Sequence, residues 1–274
     1  MTIPARIRYT LYIQPIDLPV FNPVALDVVR LLEDPYTDIL DVVRAINEDQ
    51  ALSAQVLRMS NSPSYAGRAR CETIKSSAIR LGARQTSNIA MAASHASLHA
   101  SESPLINEIM QDLWLHSHAC ALGCRSVAMS TGQQAIAEQA YMAGLLHDIG
   151  KLYILKAMEN IGQIMDLKIV LEKDFLLRVF SELHVELGCR VMEHWNLPPV
   201  YRDVVAYHHS EHFDSGNILL AIVRMVNFNS RNFHANRFPT LNQIEDIHPD
   251  TSPLYMDDTV WRKMEEVMTG SLSH

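Results

Sequence analysis

The amino-acid sequence predicts an all-α protein. The chain contains only 10 glycines among 274 residues, and no segment sustains the alternation of Val, Ile and Thr that is typical of strands. Apolar residues instead recur at the spacing of a helix face. With 48% apolar and 20% charged residues, the chain is long enough to bury a large core. We therefore expect two helical subdomains, an N-terminal lobe and a larger second lobe.

The N-terminal lobe is predicted to contain four helices, each with an apolar face. In the first of them, Ile39, Val42, Val43 and Ile46 share one side. Gly82 is expected to end the third helix. The predicted spans are 38–47, 51–60, 74–81 and 84–99. The segment Ser101–Pro104 is the best internal boundary, so we expect domains at 1–104 and 105–274.

The second lobe is predicted to begin with a long helix and to continue with shorter ones. The predicted spans are 105–130, 138–146, 175–195, a helix after Pro199, 218–228 and 257–268. The span 218–228 is almost entirely apolar and should be the most buried. The polar stretch 229–253 contains three prolines and is expected to wrap the surface.

The charge distribution argues against nucleic acid as a partner. The net charge of −8 arises after Leu105, where 13 Lys and Arg face 21 Asp and Glu, and a nucleic-acid binder should show the opposite excess.

No apolar run approaches the ~18 residues needed to span a bilayer. The N-terminus lacks an apolar signal core, so we expect a cytoplasmic protein with no membrane partner. The four cysteines have no CxxC spacing and are expected to be reduced and mostly structural.

A histidine and an aspartate are adjacent in the segment Gly144-Leu145-Leu146-His147-Asp148-Ile149-Gly150-Lys151. Two neighbours on a regular helix point about 100° apart, so both can reach one ion only where the backbone turns. Gly150 is expected to supply that helix end. A neutral imidazole beside a carboxylate suits a divalent metal. Taken alone, however, the dipeptide is better explained as a buried pair that satisfies itself.

Four further histidines change this interpretation, because they lie on apolar helix faces or at helix ends. They are His116, His184, His208 and His209. His118 lies about 200° around its helix from His116 and is expected at the surface. Each buried imidazole needs a partner, and one or two shared divalent ions would satisfy several of them at once. Imidazole-rich ligation favours Fe, Mn, Ni or Zn over Mg or Ca.

These residues resemble the HD superfamily of metal-dependent phosphohydrolases, and the closest overall resemblance is to the HDOD family of bacterial signalling proteins. The similarity spans residues 18–227. It is carried by Leu18-Pro19, Leu57-Arg58, Asn61-Ser62, Leu81-Gly82, Trp114, His116, the segment Gly144–Lys151, His184 and Trp195-Asn196-Leu197-Pro198. His184 and the His208-His209 doublet also resemble the HD-GYP branch, whose members hydrolyse cyclic di-GMP.

The resemblance implies a ligand set, and the chain departs from the family pattern at two points. His116, His147, Asp148 and His184 would hold one ion, and His208 and His209 would hold or complete a second. Asp148 and Lys151 would be the catalytic residues, with Lys151 placed just past the helix end to contact a phosphate oxygen. The expected final aspartate appears as Asn227, and the glycine-tyrosine-proline signature is missing after His209.

Two hypotheses follow from the residues and the resemblance. The first is a regulatory module that signals through protein partners and carries a retained or vestigial metal centre. The second is a metal-dependent phosphohydrolase acting on a nucleotide or cyclic di-GMP. The first is favoured because Asn227 and the missing signature weaken a fully active two-metal centre, and a fold is no proof of activity.

Overall fold

The computed structural model describes residues 3–13, 22–65, 67, 70–165, 172–214, 216–234, 254 and 256–270. For 161–165 and 231–234 it describes the helical backbone. Within these ranges every regular element is helical, so the all-α prediction is confirmed. Across the same part of the chain, none of the helices combines the length and apolar character that crossing a bilayer requires.

The chain forms two compact units. The smaller unit extends to Leu98, and the larger one joins helix α1 (Ala5–Ile13) to the chain from His99 onward. The division into domains at residue 104 stays a prediction.

The smaller unit consists of five helices, and the last of them packs against the other four. They are α2 (Pro23–Leu31), α3 (Ile39–Asn47), α4 (Gln50–Ser60), α5 (Ile74–Leu81) and α6 (Ala83–Leu98). Asp38 begins α3 with a capping box, since its side chain accepts from the Asp41 N–H and the Asp41 side chain accepts in return. Gly82 ends α5 with φ +85°, as predicted, because a left-handed backbone favours glycine. Residues 86–95 of α6 are all buried.

The larger unit is organised around its longest helix, α7 (Pro104–Ser130). Besides α1 and α7, it contains α8 (Ala137–Leu146), α9 (Ile149–Met165), α10 (Lys173–His194), α11 (Pro199–Tyr207), α12 (Ile218–His234) and α13 (Asp258–Gly270). Helix α7 packs against α8, α9, α12 and α13, and α10 packs against α9 and α11. These contacts bring the carboxyl ends of α8 and α11 and the middle of α7 and α10 towards one region.

Two glycines let these helices approach at backbone distance. A Cβ added to Gly144 in α8 would lie 2.8 Å from the Cys120 carbonyl oxygen of α7. A Cβ added to Gly150 in α9 would overlap the His184 carbonyl oxygen of α10 and lie 2.8 Å from the Gly188 nitrogen. Real Cβ atoms do not occupy such positions, so these crossings require glycine.

The structure corrects the role that the sequence suggested for Gly150. The helix does end where the two candidate ligands stand, because α8 stops at Leu146 and His147 is its C-cap. The next helix begins at once, however, and Gly150 lies inside it. Helices α1, α2 and α9 were absent from the predicted set.

We expect Gly150→Ala to destabilise the protein by about 3 kcal/mol, because the added methyl group meets backbone that cannot rotate away. Gly270→Ala is the matched control, since a Cβ there meets nothing within 4 Å. Urea unfolding would measure both variants. Equal free energies of unfolding for the two would contradict the proposed helix crossing.

Candidate metal centre

Helix α7 carries His116 on its buried face. Leu113, Cys120, Cys124 and Val127 follow the same stripe and are buried, which is why His116 points inward as predicted. The His116 side chain is only 11% exposed, and its Nδ1 lies 3.5 Å from the Ser230 hydroxyl. The Ser230 hydroxyl donates to the Asn227 carbonyl oxygen at 2.6 Å, so its oxygen remains able to accept from His116.

The Asp148 carboxylate lies at the centre of the candidate site, in the turn between α8 and α9. Its Oδ2 is 3.4 Å from Nε2 of both His116 and His147. Its Oδ1 is 3.5 Å from Nε2 of His208 and 3.8 Å from Nε2 of His184. Asp148 is 2% exposed. Four histidines from α7, α10 and the ends of α8 and α11 therefore face one carboxylate, two on each of its oxygens.

Three of these histidines have their tautomer set by the backbone. Nδ1 donates to the Gly144 carbonyl oxygen in His147, to that of Phe180 in His184 and to that of Val205 in His208, at 2.8, 2.6 and 2.9 Å. A neutral imidazole that donates through Nδ1 carries its lone pair on Nε2. The nitrogens facing Asp148 are thus the unprotonated ones, which is the form that binds a metal ion.

The potential ligand atoms form two groups that could hold a metal ion. His116, Cys120 and His147 make one group, and Asp148, His184, His208 and His209 make the other, with the atoms of each group within 4.8 Å of one another. The resemblance placed His184 with His116 and His147, but the structure places it beside the His208-His209 doublet. This follows from Gly188, which lets α10 lie against Val205 of α11.

Burial keeps His116, His184 and His208 neutral. Desolvation lowers the pKa of His208 to about 3 and lowers the pKa of His116, although Asp148 opposes the shift in both. It also lowers the pKa of His184 well below its ordinary value, assisted by the Lys151 charge. Protons therefore do not compete for these nitrogens at neutral pH.

Asp148 remains an anion for a different reason. Burial alone would raise the pKa of its carboxyl group, but the charge of Lys151 and the contacts with His147 and His116 outweigh burial and hold that pKa well below its usual range. Lys151 Nζ lies 2.6 Å from Oδ2, and Lys151 is 4% exposed. Lys151 stands in the first turn of α9, not at a helix carboxyl end as the sequence suggested.

Three buried atoms of the centre have no hydrogen-bond partner among the described residues. They are Asp148 Oδ1 and the Nε2 atoms of His184 and His208. An unsatisfied buried polar atom costs about 1–3 kcal/mol, so three in one place need an explanation. All three are lone-pair donors, and a divalent cation between them would satisfy them together.

Sequence reasoning missed two residues of the centre. Cys120 Sγ lies 3.8 Å from His116 Nε2, and its spacing of four from His116 on one helix was the available signal. The Arg224 guanidinium donates to the carbonyl oxygens of Tyr207, His208 and Ser210 at 2.8–3.2 Å and so holds the doublet in place. Its signal was a single charge in an otherwise apolar stretch of α12.

The remaining histidines only partly follow expectation. His118 is half-buried and stacks on Trp114 at a ring distance of 5.0 Å, and burial lowers its pKa to about 4, so the predicted surface position is wrong. His95 and His99 are also buried, each 1% exposed. His194 and His212 are exposed. The side chains of His234, His248 and His274 lie outside the described residues.

The fold and the site define an all-helical protein with a buried histidine–aspartate centre. The chain belongs to the HDOD domain family, whose model matches residues 18–211, as the sequence predicted. It is also 25% identical over 199 residues to an uncharacterized protein of Treponema pallidum (strain Nichols), covering 71% of this chain and 38% of that protein. The chain therefore spans less than two-fifths of that relative's length.

Several solved structures share the fold. A protein of Shewanella amazonensis SB2B, provisionally named a metal-dependent phosphohydrolase, is 20% identical and superposes with a TM-score of 0.72 over 97% of this chain and 96% of that one. An HDOD domain protein with unknown function from Geobacter sulfurreducens is 23% identical, with a TM-score of 0.65 over 93% and 84%. A protein of Marinobacter aquaeolei VT8, provisionally named a signal transduction protein, is 19% identical, with a TM-score of 0.61 over 100% and 63%.

Acidification of chelator-treated protein from pH 7 to pH 5 is expected to lower its free energy of unfolding. Unfolded His208 protonates near its ordinary pKa of 6.5, whereas folding lowers that pKa to about 3, so the unfolded state binds more protons throughout this window. The stability that this group contributes is complete above pH 6.5 and is lost as the pH falls towards 3. His208 alone accounts for about 2 kcal/mol at pH 5.

Urea unfolding at several pH values would measure this dependence. His208→Gln should give a shallower pH dependence than the parent protein, and His212→Gln, at an exposed position in the same segment, should leave it unchanged. Identical slopes for His208→Gln and the parent protein would show that His208 is not held neutral by burial.

Proposed function

We propose that this chain is a regulatory HDOD module that acts through protein partners and carries a buried metal centre of one or two divalent transition-metal ions. The observation that carries the proposal is the convergence of His116, His147, His184 and His208 on the Asp148 carboxylate. His209 completes the donor set beside His184 and His208. Iron, manganese, nickel and zinc are the ions that suit such a set.

The donors would hold ions in two neighbouring groups. His116 and His147 would hold one together with Asp148, and His184, His208 and His209 would hold the other together with Asp148. Bound ions of this type act as Lewis acids that stabilise negative charge on a phosphate. The protein supplies three Nε2 atoms whose orientation is fixed by backbone hydrogen bonds and an ionised carboxylate.

Burial and charge favour a regulatory role for this centre. Asp148, Lys151, His147, His184 and His208 are each no more than 4% exposed, so a phosphodiester cannot reach the donors in this conformation. Lys151, the residue that would contact a phosphate oxygen, is already paired with Asp148 at 2.6 Å. The neutral Asn227 in place of an aspartate removes one negative charge from the donor set. The protein of Marinobacter that shares the fold is provisionally named for signal transduction.

The alternative function is a metal-dependent phosphohydrolase acting on a nucleotide or cyclic di-GMP. The intact donor set favours it, and the Shewanella protein that shares the fold bears a provisional name of this class. In such an enzyme, Lys151 would release Asp148 and bind a phosphate oxygen through its ammonium group. Asp148 would keep its negative charge and position His116 and His147 against the substrate phosphate. Both roles require the centre to open.

Metal content tests the centre itself. We expect elemental analysis to find one to two transition-metal ions per chain in the purified protein. We expect His184→Ala to lose the ion on the Oδ1 side, because only the imidazoles of His208 and His209 then remain around that oxygen. His194→Ala is the matched control, being an exposed histidine of the same helix. A parent protein that binds no such ion after reloading would refute the metal centre and exclude the phosphohydrolase.

Turnover separates the two functions. We expect metal-loaded protein to leave cyclic di-GMP and a generic phosphodiester intact with iron, manganese or nickel, because the donors and Lys151 are inaccessible. Product analysis by chromatography would measure this. Hydrolysis that disappears in Lys151→Met, with metal content unchanged, would establish the phosphohydrolase instead.

A further inference from the structure

Cys120 lies where a ligand of the first ion position would lie. It follows His116 by one helical turn on α7 and is 1% exposed. Its Sγ is 3.8 Å from His116 Nε2, and these atoms and a ring nitrogen of His147 are all within 4.8 Å of one another. The neighbouring Gly144 lets α8 approach the Cys120 backbone, which is what brings His147 to this side of α7.

Three of the donors stand at distances close to the edges of a tetrahedron around one ion. His116 Nε2 and His147 Nε2 are 3.3 Å apart, and each is 3.4 Å from Asp148 Oδ2. With metal–nitrogen and metal–oxygen bonds of about 2.0–2.2 Å and metal–sulfur bonds of about 2.3 Å, tetrahedral donors stand roughly 3.3–3.6 Å apart. Cys120 Sγ lies 3.8 Å from His116 Nε2 and 3.9 Å from its Nδ1, so it stands beside the His116 ring, and side-chain rotation has to bring it in front of Nε2 for both to hold one ion.

Charge also favours a thiolate at this position. The resemblance places a carboxylate at residue 227, where this chain has a neutral amide. Two neutral imidazoles and one carboxylate leave a divalent ion with an excess positive charge, next to the cation of Lys151. A thiolate from Cys120 would cancel that excess, with the thiol proton released to solvent on binding.

We propose that Cys120 is the fourth ligand of the ion held by His116, His147 and Asp148, and that this position is a closed, structural site selective for thiophilic ions such as Zn²⁺. A set of four protein donors leaves no open coordination position, which distinguishes structural from catalytic sites. Thiolate ligands favour zinc over manganese or magnesium. The proposal rests on the proposed metal centre and adds the identity of the fourth donor.

Cobalt substitution tests this directly, because Co²⁺ bound to a thiolate shows a near-ultraviolet charge-transfer band that histidine and carboxylate ligands do not give. Metal-free protein would be loaded with Co²⁺ alone and its absorption recorded beside its cobalt content. We expect the band in the parent protein and its loss in Cys120→Ser. Cys124→Ser, at the next buried cysteine of the same helix, should keep it. If the serine variant fails to fold, Cys120→Val provides an apolar replacement of similar volume.

Each outcome decides a different point. Cobalt bound with no charge-transfer band in the parent protein would refute ligation by Cys120 while leaving the metal centre in place. A band that persists in Cys120→Ser or Cys120→Val would refute it as well. No cobalt bound at all would refute the proposed metal centre and, with it, this inference. A band lost only in the Cys120 variants supports the assignment.

Discussion

The candidate metal centre depends on how closely the helices of the larger unit can approach. His147 and Asp148 stand at the junction of α8 and α9, and their partners come from α7, α10 and α11. These side chains reach Asp148 only because Gly144 permits backbone contact with α7 and Gly150 permits it with α10. Interaxial distances are usually 8–10 Å, set by the side chains at the contact, and glycine gives the smallest separation. A methyl group at either position would push the helix bearing His116 or His184 away from the carboxylate.

A second constraint is the cost of burying charge. A carboxylate taken out of water is expensive, and one lysine repays only part of this cost. Lys151 is therefore paired with Asp148 Oδ2, whereas Asp148 Oδ1 faces imidazole nitrogens that carry no proton. The buried cation of Arg224 is satisfied differently, by three carbonyl oxygens beyond the end of α11 and by the Phe213 ring at 4.1 Å. The first arrangement leaves lone pairs facing one another around Asp148, whereas the second pairs a cation with oxygens and an aromatic ring.

Most of the helices and the site could be predicted from the sequence because both follow from periodicity. The spacing of apolar residues placed His116, His184 and His208 on inward faces, and the structure puts them there. The role of Gly150 could not be predicted, because a glycine at a helix end and a glycine at a helix crossing look alike in one sequence. The partner of each crossing helix is distant in the chain: Gly150 meets His184, and Gly144 meets Cys120. Helix α9 was missed because its apolar residues directly follow the turn that was taken as a stop.

A buried centre would give the proposed regulatory module a means of reporting ion occupancy. An ion that binds only the folded protein stabilises it by RT ln(1 + [L]/Kd), or about 2.7 kcal/mol at a hundredfold excess over Kd. That free energy would stabilise the helix ends that carry the donors, including the end of α11, where His208 lies beside the exposed Tyr207. Arg224 connects this end to α12 through the Tyr207 and His208 carbonyl oxygens. Ion binding would therefore order a segment that reaches from the core to the surface, whereas a catalytic centre would need that same segment to open.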